Sequence, residues 1–203
     1  MPPIRVTALR SSTRKSLACS SGGISVISGS QPPGVPVDFP AQLALSMPGS
    51  RAVLDTSGKP LTEAVRNPIS GLEVLRMDSE EAEGLTGHPL TSRADTAKFA
   101  QDLARKGVAK KVVIARGADG NVLATADRRL FAPAPKVRVK STVGAGDSFV
   151  AALVLAMARG QPDDEALALA AASAAAAVMT DATQLCRPED VMRLLPDCAV
   201  TVL

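Results

Sequence analysis

The chain of 203 residues has no tryptophan, no tyrosine and a single histidine, and aromatics make up only 2% of it. Its Lys and Arg residues are scattered rather than gathered into a stripe. That leaves little on which bases could stack or along which a phosphate backbone could run, which argues against a nucleic-acid partner. The three cysteines, Cys19, Cys186 and Cys198, show no paired metal-ligand spacing, and with one histidine they argue against a zinc site. So sparse and odd a cysteine count fits a reducing cytoplasm rather than a disulfide scaffold. Long apolar runs are missing too. The longest, from Ala166 to Met179, is too short and too rich in alanine to span a bilayer. The first 23 residues lack the apolar core of a secretory signal. The expectation is a cytoplasmic protein with no membrane partner.

What is present is 46% hydrophobic residues, 21% charged residues and a formal net charge of +3, enough for one sizeable domain. Residues 1–23 are polar and without a period, and read as a disordered or foreign leader ahead of a core at 24–203. "ISVISGS" predicts a buried strand running into a loop, and Asp38 to Ser46 a short helix. "RAVLDTSG" and "LEVLRMD" predict two more strands. "SEEAEGLTG" predicts a helix with acids in its first turn. "SRADTAKFAQDLARKGV" has the spacing of an amphipathic helix ending at Gly107. "KKVVIARGADG" reads as a strand and glycine turn, followed by a hairpin turning near Ala126 to Arg128. Three helices close the chain, the first running to Gly160, the second beginning at "PDDEAL" and the third formed by "RPEDVMRLL". Strands alternating with helices predict an α/β fold with a largely parallel sheet. Ligands then bind at the carboxyl ends of the strands, where "SGSQPPG", "DTSG", "RMDSEE", "ARGADG" and "STVGAGD" all fall.

The last of these loops carries the chemistry. Gly144, Ala145 and Gly146 have side chains small enough for their N–H groups to approach a ligand at the start of a helix, which makes an anion site. Asp147 follows at once, where the positive helix end favours a carboxylate. It is either a helix cap or a base for a substrate hydroxyl. No G-x-x-x-x-G-K-[ST] motif is present, nor a G-x-G-x-x-G after the first strand, and spacing alone leaves both readings open. Asp55 is similarly divided between a structural acid at a strand end, the favoured side, and a residue lining the site. His88, between Gly87 and Pro89, reads as a loop residue.

"STVGAGDSFVAALVLAMARG" resembles the carboxy-terminal signature of the ribokinase-like sugar kinases, the PfkB carbohydrate kinase family. The resemblance is nearest to the 1-phosphofructokinases and the minor bacterial 6-phosphofructokinases. "VISGSQPPGVPVDF", "AVLDTSG", "EEAEGLTG", "VVIARGADG", "LFAPAP" and "AAAAVMTDATQLCRPEDV" support it in order, from Ile24 to Leu195. It implies a ribokinase-like fold and transfer of the γ-phosphoryl group of ATP, with Mg²⁺, to fructose 1-phosphate or a related ketohexose phosphate. Asp147 would be the base, with Gly144, Ala145 and Gly146 as the anion hole. Ser141, Thr142 and Val143 would lead into the nucleotide side, and Gly117 and Gly120 would turn near the ATP phosphates. Ser30 would lie near the sugar phosphate, and Glu81 would organise Mg²⁺ through water. Family dimers often form through a small β-sheet lid, so a homodimer is implied only where a lid exists.

The chain departs from the pattern in places. Arg76 and Asp78 replace the Lys and Asn of the usual Lys-Pro-Asn and are assigned to the ATP side. Ala115 stands where a hydroxyl is common, followed by Arg116, and Ala182 stands where Gly is common. The lid and first strands have no counterpart before Ile24. The alternatives are a nucleotide-binding remnant without strong activity, or a different α/β enzyme with a similar phosphate cradle.

Overall fold

The computed structural model describes residues 23–182 and 184–203; the expected leader at 1–23, Cys19 included, lies outside the described residues except for Gly23. β-branched runs form five-residue strands here because one side chain in two can be buried on each face of a sheet. The strands are β1 (Ile24–Ser28), β2 (Arg51–Asp55), β3 (Val74–Asp78), β4 (Lys111–Ala115), β5 (Gly120–Ala124), β6 (Arg129–Pro133) and the short β7 (Thr201–Val202). They lie side by side in chain order. β1 to β4 pair in parallel, and β4 to β7 pair antiparallel. The hairpin between β5 and β6 closes through Thr125 N–H donating to Arg128 O at 2.9 Å, as the turn residues predict.

The helices are α1 (Phe39–Leu45), α2 (Gly58–Arg66), α3 (Ser79–Thr86), α4 (Arg93–Arg105), α5 (Ala145–Ala158), α6 (Asp163–Ala177) and α7 (Pro188–Leu194). They cover both faces of the sheet. Val53, Val74, Val113, Leu123 and Leu130 point to one face and pack on α5, α6 and α7. Their neighbours Leu54, Leu75, Ile114, Val122 and Phe131 point to the other, toward α2 and α4. The alanine-rich stretch of α6 is buried close packing, as Ala170, Ala172 and Ala176 at 0% exposure show.

Three elements differ from the sequence reading. β1 is an edge strand rather than a buried one: Val26 is 44% exposed, and among the described residues β1 pairs only with β2. α2 is a helix although it opens "GKP", which reads as loop. Its Pro60 stands in the first turn, where a missing N–H costs nothing, and Leu61 and Ala64 bury one face. β7 is two exposed residues long, with too little apolar content to announce a strand. Among the described residues no helix is long and apolar enough to cross a membrane.

Candidate functional site

The site follows from strand parity. On β2 the face that carries Val53 also carries Asp55, and on β3 the face of Val74 also carries Arg76. Asp55 and Arg76 are direct partners in the β2–β3 register. Both therefore emerge at the carboxyl edge, under the amino end of α5. Arg76 Nη1 donates to Asp55 Oδ1 at 3.1 Å, with side chains 18% and 12% exposed. The buried Nε of Arg76 has no partner among the described residues.

α5 is entered through its N-cap, Gly144, whose φ of 82° lies in the left-handed region that glycine enters without strain. No side chain caps this helix end. Ala145 N–H is turned back to Thr142 O at 3.3 Å, and Ser148 N–H to Gly144 O at 2.9 Å. The N–H groups of Gly146 and Asp147 are left without an acceptor among the described residues. Of the N–H groups at this helix start, those of Gly146 and Asp147 are thus open to a ligand, while that of Ala145 is engaged in the turn. A Cβ on Gly146 would stand 3.4 Å from both Nη atoms of Arg76, so the absence of a side chain lets the guanidinium lie against the helix start. The Asp147 carboxylate is exposed and makes no hydrogen bond or ion pair among the described residues. It does not cap α5.

A cavity of ≈ 220 Å³ opens here, lined by Ser28, Gly29, Ser30, Asp55, Thr56, Ser57, Arg76, Glu81, Gly146 and Asp147. Two loops form its floor and are tied together. Gly29 N–H donates to Asp55 O at 2.9 Å, and Thr56 Oγ1 donates to Gly29 O at 3.0 Å. The structure thus brings together Ser30, Arg76, Glu81, Gly146 and Asp147, five residues singled out from sequence. Gly144 and Ala145 form the helix start behind them. Gly117 and Gly120 sit in the turn after β4, at the same sheet edge but outside the cavity wall. Ser141, Thr142 and Val143 lead into α5, where Val143 N–H donates to Ser141 Oγ at 3.2 Å.

Asp78 and Glu81 form a capping box at the start of α3. Glu81 N–H donates to Asp78 Oδ1 at 2.9 Å, and Asp78 N–H donates to Glu81 Oε2 at 2.8 Å. The extra charge of Asp78 therefore serves a helix end that favours it. Burial raises Glu81 above the ordinary carboxylate value, opposed by its hydrogen bond from the Asp78 backbone and reinforced by the Asp78 charge. Asp55 is raised as well, first by burial; the Arg76 guanidinium opposes this, and the charges of Asp147 and Asp78 add to it.

Asp55, Thr56 and Ser57 are the site residues that sequence reading underweights. Their parity on β2 and the loop that follows is the signal that points to them. The raised Asp55 has a consequence for stability. Between its ordinary value of 3.8 and its raised value, the folded protein holds a proton that the unfolded chain has released. This group therefore makes stability fall as pH rises through that window. Asp55→Asn is expected to remove that slope. Urea midpoints from about pH 4 to about pH 6 measure it, and a slope identical to that of the unaltered protein would contradict the assignment.

A larger cavity of ≈ 380 Å³ between α3 and α4 is lined by Thr86, His88, Leu90, Asp95, Lys98 and Phe99, among others. Its polar groups answer one another: Asp95 accepts from Ser92, Lys98 donates to Asp102 at 2.7 Å, and His88 Nδ1 lies 3.2 Å from Pro89 O. The smaller cavity, with its free helix amides and unpaired carboxylate, is the better candidate for chemistry.

The "pfkB family carbohydrate kinase" signature matches residues 6–190, beginning inside the segment read as a leader. The ATP-dependent 6-phosphofructokinase isozyme 2 of Escherichia coli K12 is 34% identical over 180 residues, 88% of this chain and 58% of that protein. The 1-phosphofructokinase of Xanthomonas campestris pv. campestris is 36% identical over 177 residues, 85% of this chain and 52% of that protein. A crystal structure of E. coli phosphofructokinase-2 in complex with substrates and products superposes with a TM-score of 0.81 at 33% identity, covering 89% of this chain and 58% of that one. The chain spans little more than half the length of these relatives. The fold is ribokinase-like α/β, and this chain belongs to the pfkB family of carbohydrate kinases.

Proposed function

We propose that the chain carries out ATP-dependent phosphorylation of fructose 1-phosphate or a related ketohexose phosphate, with Asp147 as the base. The observation that carries the reading is the unpaired Asp147 carboxylate at a helix start whose Gly146 and Asp147 N–H groups are free, with Arg76 laid against Gly146. Phosphoryl transfer asks mainly for positioning and for positive charge around the moving group. The two N–H groups and the α5 dipole receive that group, and the Arg76 guanidinium adds a forked donor beside it. Asp147 accepts the proton of the sugar hydroxyl as the oxygen attacks. Ser30, across the cavity, holds the sugar phosphate. The turn at Gly117 and Gly120 and the segment Ser141 to Val143 hold the nucleotide, with Asp78 fixing the start of α3 on that side.

The donor set fits Mg²⁺. The ion keeps several waters and takes one or two carboxylates beside phosphate oxygens, and beside the base Asp147 the cavity offers Asp55 and Glu81. Glu81 would hold it through water. Held there with ATP, it would supply positive charge beside the phosphates. Among the described residues no group of three or more His, Cys, Asp or Glu side chains forms a ready-made metal cage.

The alternative is a nucleotide-binding remnant with little activity, in which the helix start holds ATP but Asp147 takes up no proton. Cytoplasmic location and homodimer formation are further proposals that rest on the family. Unfolding with and without MgATP tests whether the nucleotide site forms. At a hundredfold excess over Kd, binding adds about 2.7 kcal/mol, which raises the midpoint by roughly 5–10 °C. An unchanged midpoint at millimolar MgATP would remove both readings.

A further inference from the structure

The guanidinium of Arg116, the residue that follows β4, points away from the cavity, with its side chain only 13% exposed. It donates to Leu90 O at 3.0 Å, to Thr91 O and Ser92 O at 3.3 Å each, and to Thr96 Oγ1. Its Nε donates to Asp119 Oδ2 at 2.8 Å. One side chain thus ties three places together: the loop between α3 and α4, the first turn of α4, and the turn at 117–119. Asp119 is held from the other side as well, by Arg93 Nε at 2.9 Å, and the Arg93 guanidinium lies 4.0 Å over the Phe131 ring.

The backbone of the turn is closed on itself, Arg116 N–H donating to Gly120 O at 2.8 Å and Asp119 N–H to Arg116 O at 3.1 Å. Its two glycines have φ of 56° and 135°. The start of the turn is joined to the site: Ala115 pairs with Asp78 in the β3–β4 register, and Ser79 Oγ donates to Ala115 O at 3.0 Å. Two left-handed glycines weaken a turn, and these backbone bonds fix its ends rather than its position against α4. The buried fork of Arg116 adds that anchorage, holding five oxygen acceptors in a geometry that a lysine ammonium cannot reproduce.

We infer that Arg116 is a positioning residue for the nucleotide phosphates, acting through the backbone of Gly117–Gly120 while touching no ligand itself. The inference rests on the kinase reading, which puts that turn beside the phosphates.

The test is direct binding of MgATP and of adenosine to the full chain and to Arg116→Ala, Arg116→Lys and Thr96→Val. Each is measured well below its own unfolding midpoint. The expected result for Arg116→Ala is a MgATP Kd raised about tenfold, with the adenosine Kd changed less than about twofold, since only the phosphates meet the turn. Arg116→Lys recovers part of the loss. Thr96→Val, which keeps the arginine and removes one acceptor, shifts MgATP in the same direction by a smaller factor and serves if Arg116→Ala does not fold. Equal weakening of MgATP and adenosine, or no weakening in either Arg116→Ala or Thr96→Val, overturns the inference. Absence of MgATP binding by the unaltered chain overturns the kinase reading instead, and this inference with it.

Discussion

Asp147→Asn is expected to lower the rate of phosphoryl transfer by about 10²- to 10⁴-fold while changing MgATP affinity by less than about threefold. The split follows from where the carboxylate sits. It lies in the first turn of α5, exposed, and takes no part in holding the helix or either loop of the cavity. Asparagine keeps the side-chain volume and leaves the backbone N–H groups of positions 146 and 147 in place, so the phosphoryl cradle survives. The negative charge is lost, and with it the capacity to accept a proton. Steady-state rates and calorimetric binding on the same preparations separate the two effects. A rate within threefold of the unaltered protein would show that some other group takes the proton. An equal fall in binding and rate would mean that Asp147 acts on the ground state.

The second large effect is structural. Gly120→Ala is expected to destabilise the fold by about 3 kcal/mol or more, roughly 6–12 °C in midpoint. A Cβ at this position would come within 2.2 Å of Ala132 O, 2.8 Å of Phe131 Cζ and 2.9 Å of Pro133 Cα. Two of these are backbone atoms of β6, which pairs with β5 starting at Gly120 itself. The φ of 135° adds strain for any L side chain. Gly117→Ala supplies the contrast. Its φ of 56° is also left-handed, but nothing lies within 4 Å of the added carbon, so about 1 kcal/mol is expected. Denaturant melts of the two variants measure the difference. If they prove equally stable, steric contact with β6 is not what requires glycine at 120.

Both glycines look alike in the sequence, and only the paired strand tells them apart. Other parts of the fold are legible directly. Strands β2, β3 and β4 stand out because "AVL", "EVL" and "VVI" are largely apolar on consecutive residues, as strands covered on both faces must be. The helices α4 and α6 announce themselves through spacing and acidic first turns. α2 is hidden because Gly58 and Pro60 read as loop wherever a helix is not already suspected. β1 carries the same β-branched composition as its neighbours, and only pairing shows that it is an edge among the described residues.

At the site, sequence order lists Ser30, Arg76, Glu81, Gly146 and Asp147 but not their distances. The Asp55–Arg76 pair depends on register between two strands far apart in the chain. Which N–H groups at the start of α5 stay free depends on Thr142 O capturing that of Ala145. Asp78-x-x-Glu81 is a capping pattern visible in the sequence, passed over there because the resemblance assigns Asp78 to the ATP side. Arg116 reads in the sequence only as the neighbour of a missing hydroxyl at Ala115. Its five acceptors come from segments that sequence alone does not bring together.

The central claim is that this chain transfers a phosphoryl group with Asp147 as base. The most direct measurement is ADP formation from MgATP with fructose 1-phosphate or fructose 6-phosphate, against a blank lacking sugar phosphate, for the unaltered chain and Asp147→Asn. The expected result is ADP formation that requires the sugar phosphate and is lost in the variant. MgATP binding without sugar-dependent ADP formation from either compound would contradict the claim and leave the nucleotide-binding remnant as the function.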